Sequence, residues 1–314
     1  MNVASDLSYL SDRTNIDCIC GRDRGCTVRR RDRYGIRFIF KLCTTCGHVR
    51  TSNPLSFDTT RRFYQSSDYR SLYFAGENPE QVLLRKTPSP NSVSQLLKFV
   101  EGLGISKGRL IEWGCGGGWN LVPFRDAGWT VQGFDYDKPY LELGRTLLGL
   151  ELDEIPPESS SMVPMYPDVV LLNHVLEHAL DPVSLLARLR AMCSSETSLI
   201  VGVPLLETIP IWHWRDFFHI AHVHYFSAES LARVAASSGF QITHFDLSSG
   251  MFVLKKSDSM NRLPTKRRFA LRSMLLLVKG FIEPTYRTRQ FIRFILSSLG
   301  LIDLVRRARK RIAR

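Results

Sequence analysis

The chain has 314 residues, 44% of them hydrophobic, enough for a core of about one to two hundred residues with additions at either end. No signal sequence opens it, and no uncharged apolar run reaches the roughly 18 residues of a membrane span, so a chain of the reducing cytoplasm is expected. The net charge of +12 is uneven: residues 255–314 hold 17 Lys and Arg against three acids, leaving the remainder near neutral.

The first fifteen or so residues are polar and expected to fray. Five of the seven cysteines precede residue 50, and in a reducing compartment such cysteines read as metal ligands before disulfides. DCICG, at Asp17 to Gly21, is followed after Cys20 by 22 residues and then by CTTCG, at Cys43 to Gly47. Two cysteine knuckles around an Arg-rich hairpin, with Tyr34 to Leu42 alternating like a strand, predict a zinc-ribbon-like module over 1–60. Cys20, Cys43 and Cys46 are expected ligands of a structural zinc, with Cys18, Asp17, Cys26 or His48 as the fourth; a ribbon without metal is the alternative.

Residues 61–94 are aromatic and lack clean periodicity. Tyr64, Tyr69 and Tyr73 are candidates for a lid or for surface packing, and the Thr87 to Asn91 segment reads as a linker. Ser92 or Ser94 is expected to cap a helix through Val100.

Leu110 to Asp137 is the most informative stretch. Leu110 to Trp113 reads as the end of a buried strand. Four of the five positions from Gly114 to Gly118 are glycine, Trp119 to Ala127 reads as a helix, and Thr130 to Phe134 as a second strand ending in Asp135. Strand, glycine turn, helix, strand and acid form a dinucleotide-type half-fold, with the acid placed to accept bonds from ribose hydroxyls. Glu112 ahead of the turn repels a pyrophosphate and suits an ammonium group.

The E-x-G-x-G-x-G pattern resembles the first motif of class I methyltransferases dependent on S-adenosylmethionine. That resemblance implies a doubly wound, Rossmann-like α/β sheet over 95–256. It also implies that Glu112, Gly114, Cys115, Gly116 and Gly118 line the methionine end of the cofactor, with Asp135 on the ribose; Tyr136, directly after that acid, is a candidate to stack on the adenine. Further helices and strands are expected at Pro139 to Leu148, Leu150 to Ile155, Asp168 to Asn173, Pro182 to Met192 and Ser198 to Pro204, closed by a hairpin over Gly239 to Lys256. The segment HVLEHALDP, His174 to Pro182, resembles the LEH-x-x-DP segment of bacterial methyltransferases of the ubiquinone and polysaccharide-biosynthesis type. By that likeness Asn173 and His174 lie beside the transferred methyl group, and Glu177 and His178 fix the following turn.

His213 to Leu231 packs four histidines and several aromatics into a loop and a helix capped at Ser227. Its H-x-x-Y-F-S tail resembles sugar-nucleotide methyltransferases in which a Glu-His pair precedes the same sequence. On that match His222 is the catalytic histidine, with His219 and His224 as alternatives. The preceding Glu is Ala221 here, which fits methylation of a sugar hydroxyl, needing one general base, better than carbon methylation. The implied acceptor is a nucleotide-linked or lipid-linked glycan.

The tail over 257–314 alternates short apolar blocks with Arg and Lys, as in an amphipathic helix on an anionic membrane surface; a packed helix, a protein partner or nucleic acid are alternatives. An RNA base methyltransferase would also suit a ribbon and basic ends, but an N-P-P-Y type motif is lacking. A non-catalytic binding module is the remaining alternative.

Overall fold

A computed structural model describes residues 7–66, 68–69, 72, 77–88, 94–157, 160, 165–209 and 214–257. The expected amphipathic tail beyond Ser257, Tyr73, His213 and Ser92 lie outside the described residues.

Two sheets organise them. The larger has seven strands: β4 (Arg109–Trp113), β5 (Thr130–Asp135), β6 (Leu152–Glu154), β7 (Val169–Asn173), β8 (Ser198–Gly202), β10 (Phe240–Asp246) and β11 (Met251–Lys256). Their spatial order is β10-β11-β8-β7-β4-β5-β6. The pairs from β8 through β7, β4 and β5 to β6 are parallel, and β11 returns antiparallel against β8. Chain order reverses between β4 and β7, so the carboxyl ends of these two strands flank a switch point where doubly wound sheets bind ligands. Leu110, Ile111, Val169 to Leu172 and Leu199 to Val201 are fully buried, as unbroken apolar runs must be when helices cover both faces.

Local chemistry sets the helices. Ser94 caps Gln95–Gly102, Asp137 caps Lys138–Leu148, Asp181 caps Pro182–Met192 and Ser227 caps Ala228–Ser237, each side chain accepting a backbone N–H of the first turn. Gly149, at φ 62, closes the second of these in the left-handed conformation. The helix after the glycine turn runs over Leu121–Asp126, starting later than its sequence suggests.

The second sheet has the order β1-β2-β3-β9, from β1 (Gly25–Arg31), β2 (Arg37–Cys43), β3 (Val49–Thr51) and β9 (His224–Tyr225). The expected hairpin is β1 with β2. β9 comes from the histidine loop, so the cysteine module and that loop share one sheet. They also share a core, in which Phe38, Phe40, Leu42 and Val49 pack with Phe218, Ile220 and Tyr225. Frayed ends were expected before residue 15, but Leu7–Ser11 forms a 3-10 turn and Leu10 is buried in this core. Phe57–Gln65, capped by Ser56, is a helix that the aromatic composition obscured.

Candidate active site

The glycine turn is shaped by backbone bonds across β4 and β5. The Gly114 and Cys115 N–H groups both donate to Phe134 O, at 2.7 and 3.0 Å, and Gly114, Gly116 and Gly118 have φ of 79, 56 and 80°. Only glycine takes these values without strain. Gly116 N–H donates to Asp135 Oδ2 at 2.6 Å and Asp137 N–H to Oδ1 at 2.9 Å. Asp135 thus faces the turn with lone pairs to spare, since a carboxylate offers about four acceptor sites. Burial raises its pKa, and the backbone donors oppose the rise.

Glu112 is fully buried at the end of β4. Asn120 Nδ2 donates to its Oε1 at 2.7 Å, while Oε2 has no hydrogen-bond partner among the described residues. Burial pushes its pKa up to about 8, helped by the charge of Asp135. The Cys115 thiol turns into the core, where a Cβ on Gly133 would lie 2.6 Å from its Sγ, so this residue offers the site only its backbone. Tyr136 packs on the core beside β5.

The carboxyl end of β7 supplies the other wall. Asn173 ends the strand, and His174 follows with φ 57, a left-handed conformation rare for a residue with a side chain. Its N–H donates to Gly202 O at 2.8 Å. A Cβ on Gly114 would lie 2.4 Å from Val175, so segment 174–178 rests directly on the glycine turn.

Beyond it is a buried polar cluster that the sequence did not assemble. Glu177 Oε1 lies 3.3 Å from His174 Nδ1, 3.8 Å from His178 Nε2 and 3.9 Å from His222 Nε2. The His219 ring centre is 3.6 Å from that of His222. His178 Nδ1 is 2.9 Å from Ala221 O and 2.8 Å from Tyr64 Oη. Burial lowers the pKa values of His178 and His222 and takes His219 to about 2, so these rings are neutral near pH 7. The His174 pKa is raised by its bond to Glu177.

His222 reaches this position through the second sheet: Thr51 N–H donates to Val223 O and Thr51 Oγ1 to His222 O, both at 2.8 Å, and Val223 N–H donates to Glu177 O at 2.9 Å. His224 is not brought to the cluster. Its Nδ1 is 2.9 Å from His48 Nε2 and its Nε2 is 3.4 Å from Leu180 O. Glu177 and His178, expected to fix the following turn, also meet His222 in this cluster; the LEH segment was the available signal. Tyr64, one of the lid candidates, packs on Tyr69 with ring centres 4.8 Å apart.

The thiols of Cys18, Cys20, Cys43 and Cys46 all lie within 4.8 Å of one another. Cys18 and Cys46 Sγ are 3.4 Å apart and Cys20 and Cys43 Sγ 3.7 Å, close to the ~3.8 Å edge of a tetrahedron with 2.3 Å zinc–sulfur bonds. Cys26 is exposed on β1 and outside the group, and His48 is engaged with His224.

A glycine turn between two acids, at the switch point of a mostly parallel seven-stranded sheet, defines a Rossmann-like methyltransferase fold. The Methyltransferase domain family matches residues 85–245, and the chain belongs to that family: it is a methyltransferase dependent on S-adenosylmethionine. No curated protein matches it significantly. Among solved structures it is similar to the 1,6-didemethyltoxoflavin-N1-methyltransferase of Burkholderia thailandensis, at 17% identity, TM-score 0.46, covering 67% of this chain and 96% of that one. It is also similar to an amino pentose methyltransferase of Micromonospora echinaspora, at 14% identity, TM-score 0.43, covering 60% and 96%. A third is the magnesium protoporphyrin IX methyltransferase of Synechocystis, at 14% identity, TM-score 0.42, covering 64% and 100%.

Proposed function

We propose that the chain methylates a hydroxyl group of a sugar, carried on a nucleotide or a lipid as an intermediate of cell-surface glycan synthesis. The observation that carries this reading is the buried cluster of Glu177, His178, His219 and His222 beside the glycine turn, which concentrates groups able to handle an acceptor's proton. The cofactor, when bound, supplies an electrophilic methyl group on a sulfonium.

The residues present fit that cofactor. The buried, unpartnered Glu112 Oε2 calls for a cationic donor, and the α-ammonium group of the methionine moiety answers it. Gly114, Cys115, Gly116 and Gly118 admit the methionine end through their backbone, Asp135 takes the ribose hydroxyls, and Tyr136 lies against the adenine. Asn173 and His174 border the transferred methyl group. Acceleration comes largely from holding the two reactants in line. Cys18, Cys20, Cys43 and Cys46 hold a structural zinc, and the tail rests on an anionic membrane surface. No helix among the described residues is long and apolar enough to cross a membrane.

The test is turnover against nucleotide sugars, lipid-linked glycans and RNA, with His222→Ala alongside. Methyl transfer to a sugar hydroxyl is expected, lowered by about a hundredfold to ten-thousandfold in the variant at unchanged cofactor affinity. Methylation of RNA alone would replace the sugar reading.

A further inference from the structure

The cluster around Glu177 is only partly satisfied by its own residues: His174 Nδ1 serves Oε1 at 3.3 Å. His178 Nδ1 is shared between Ala221 O at 2.9 Å, which can only accept, and Tyr64 Oη at 2.8 Å; in the tautomer that gives Nδ1–H to the carbonyl, Nε2 keeps a lone pair. That lone pair faces Glu177 Oε1 at 3.8 Å, and His222 Nε2 approaches the same oxygen at 3.9 Å. Both separations are too long for direct hydrogen bonds. Glu177 is 1% exposed and its Oε2 has no hydrogen-bond partner among the described residues. A buried acid with a free oxygen beside two imidazoles, the three ligand atoms within 4.8 Å of one another, is a donor set that suits a cation.

A single ion about 2.1 Å from each ligand would place neighbouring ligand atoms ~3.0 to 3.4 Å apart, so small side-chain shifts would close the observed gaps. His178 already shows the second feature of a metal-bound histidine, its other ring N–H given to a backbone carbonyl. We propose that Glu177, His178 and His222 hold a first-row divalent cation, with an open position toward the acceptor. The inference rests on the hydroxyl-methylation reading for its use, though not for the site itself. It also accounts for Ala221, since a cation that acidifies the acceptor hydroxyl removes the need for a Glu-His pair. In this arrangement His222 acts by holding the ion and not as a free base, and the hydroxyl's proton leaves to water. The acceptor oxygen forms the C–O bond as the S–CH3 bond breaks, and the bonding pair stays on sulfur.

The experiment counts metal on the full chain, as purified and after titration with Mn2+, which thiolates attract weakly. Wild type is expected to carry one more equivalent than Glu177→Gln or His178→Gln, and its Mn2+ resonance to show imidazole nitrogen couplings. Weakening of at least about tenfold is expected in either variant, with S-adenosylhomocysteine affinity unchanged as the control for folding. Equal metal content in wild type and both variants overturns the inference, as does a wild-type Mn2+ spectrum without nitrogen coupling, which requires no variant to fold. Full turnover on a sugar acceptor after the ion is removed overturns it too, while leaving the proposed function intact. An ion held by these residues with no sugar methylated supports the site and removes the acceptor class.

Discussion

Glu112 is the residue whose chemistry changes most on folding. Its pKa rises from 4.5 to about 8 because burial disfavours the charged form. For an acid shifted upward, the stabilisation is fully present below the unfolded value and is lost as pH rises from 4.5 through about 8, so without ligand the protein should loosen across that window. An ammonium ligand selects the ionised form. Affinity for S-adenosylhomocysteine should therefore increase between about pH 6 and 7.5, by up to tenfold per unit, before the ligand's own amine deprotonates. Calorimetry across this range checks it: Glu112→Gln should be weaker and flat, and a flat wild-type profile would remove the ammonium assignment. Gly144 makes a second, steric case. A Cβ there would sit 2.3 Å from Gly117 O, which is backbone and cannot swing away. Gly144→Ala should cost about 1 to 3 kcal/mol in denaturant unfolding and distort the turn, lowering cofactor affinity as well.

Among the elements, the helix Ala228–Ser237 begins where β9 ends, so its cap also anchors the histidine loop. Ser227 Oγ accepts from Ser230 N–H at 3.2 Å and Ser230 Oγ from Ser227 N–H at 2.9 Å, a reciprocal capping box with Ser in the place usually held by Glu. Ser227→Ala should cost about 1 kcal/mol, read as a lower midpoint in chemical denaturation. No loss of stability would mean that the loop, and not the cap, holds the helix start. The aromatic segment gave no period because Phe57–Gln65 is short and its buried residues, Thr59 and Phe63, span a single turn. Strand β9 was illegible for a related reason. Two residues have no period, and their strand character comes from pairing with Val49 and Arg50.

At the scale of the molecule, the cysteine module and the histidine loop are one unit, joined by β3–β9 pairing and a shared core. Removing the proposed zinc with a chelator should therefore be felt at a distance. Hydrogen exchange at 219–225 should accelerate with exchange at 43–51, and turnover should fall while the β4 and β7 strands stay protected. Unchanged exchange in the loop would make the module a bystander. The sequence by itself determined the parallel sheet, the glycine turn between Glu112 and Asp135, most helix caps and the four grouped cysteines, because apolar runs, glycine, capping side chains and paired thiols act within a few residues of themselves. It also pointed to His222, by resemblance. Only the tertiary structure decided that His222 meets Glu177 and His178 while His224, two residues on, turns to His48: on one regular strand the two would share a face, but His222 precedes β9, and its place is set by Thr51, which bonds its carbonyl from some 170 residues away.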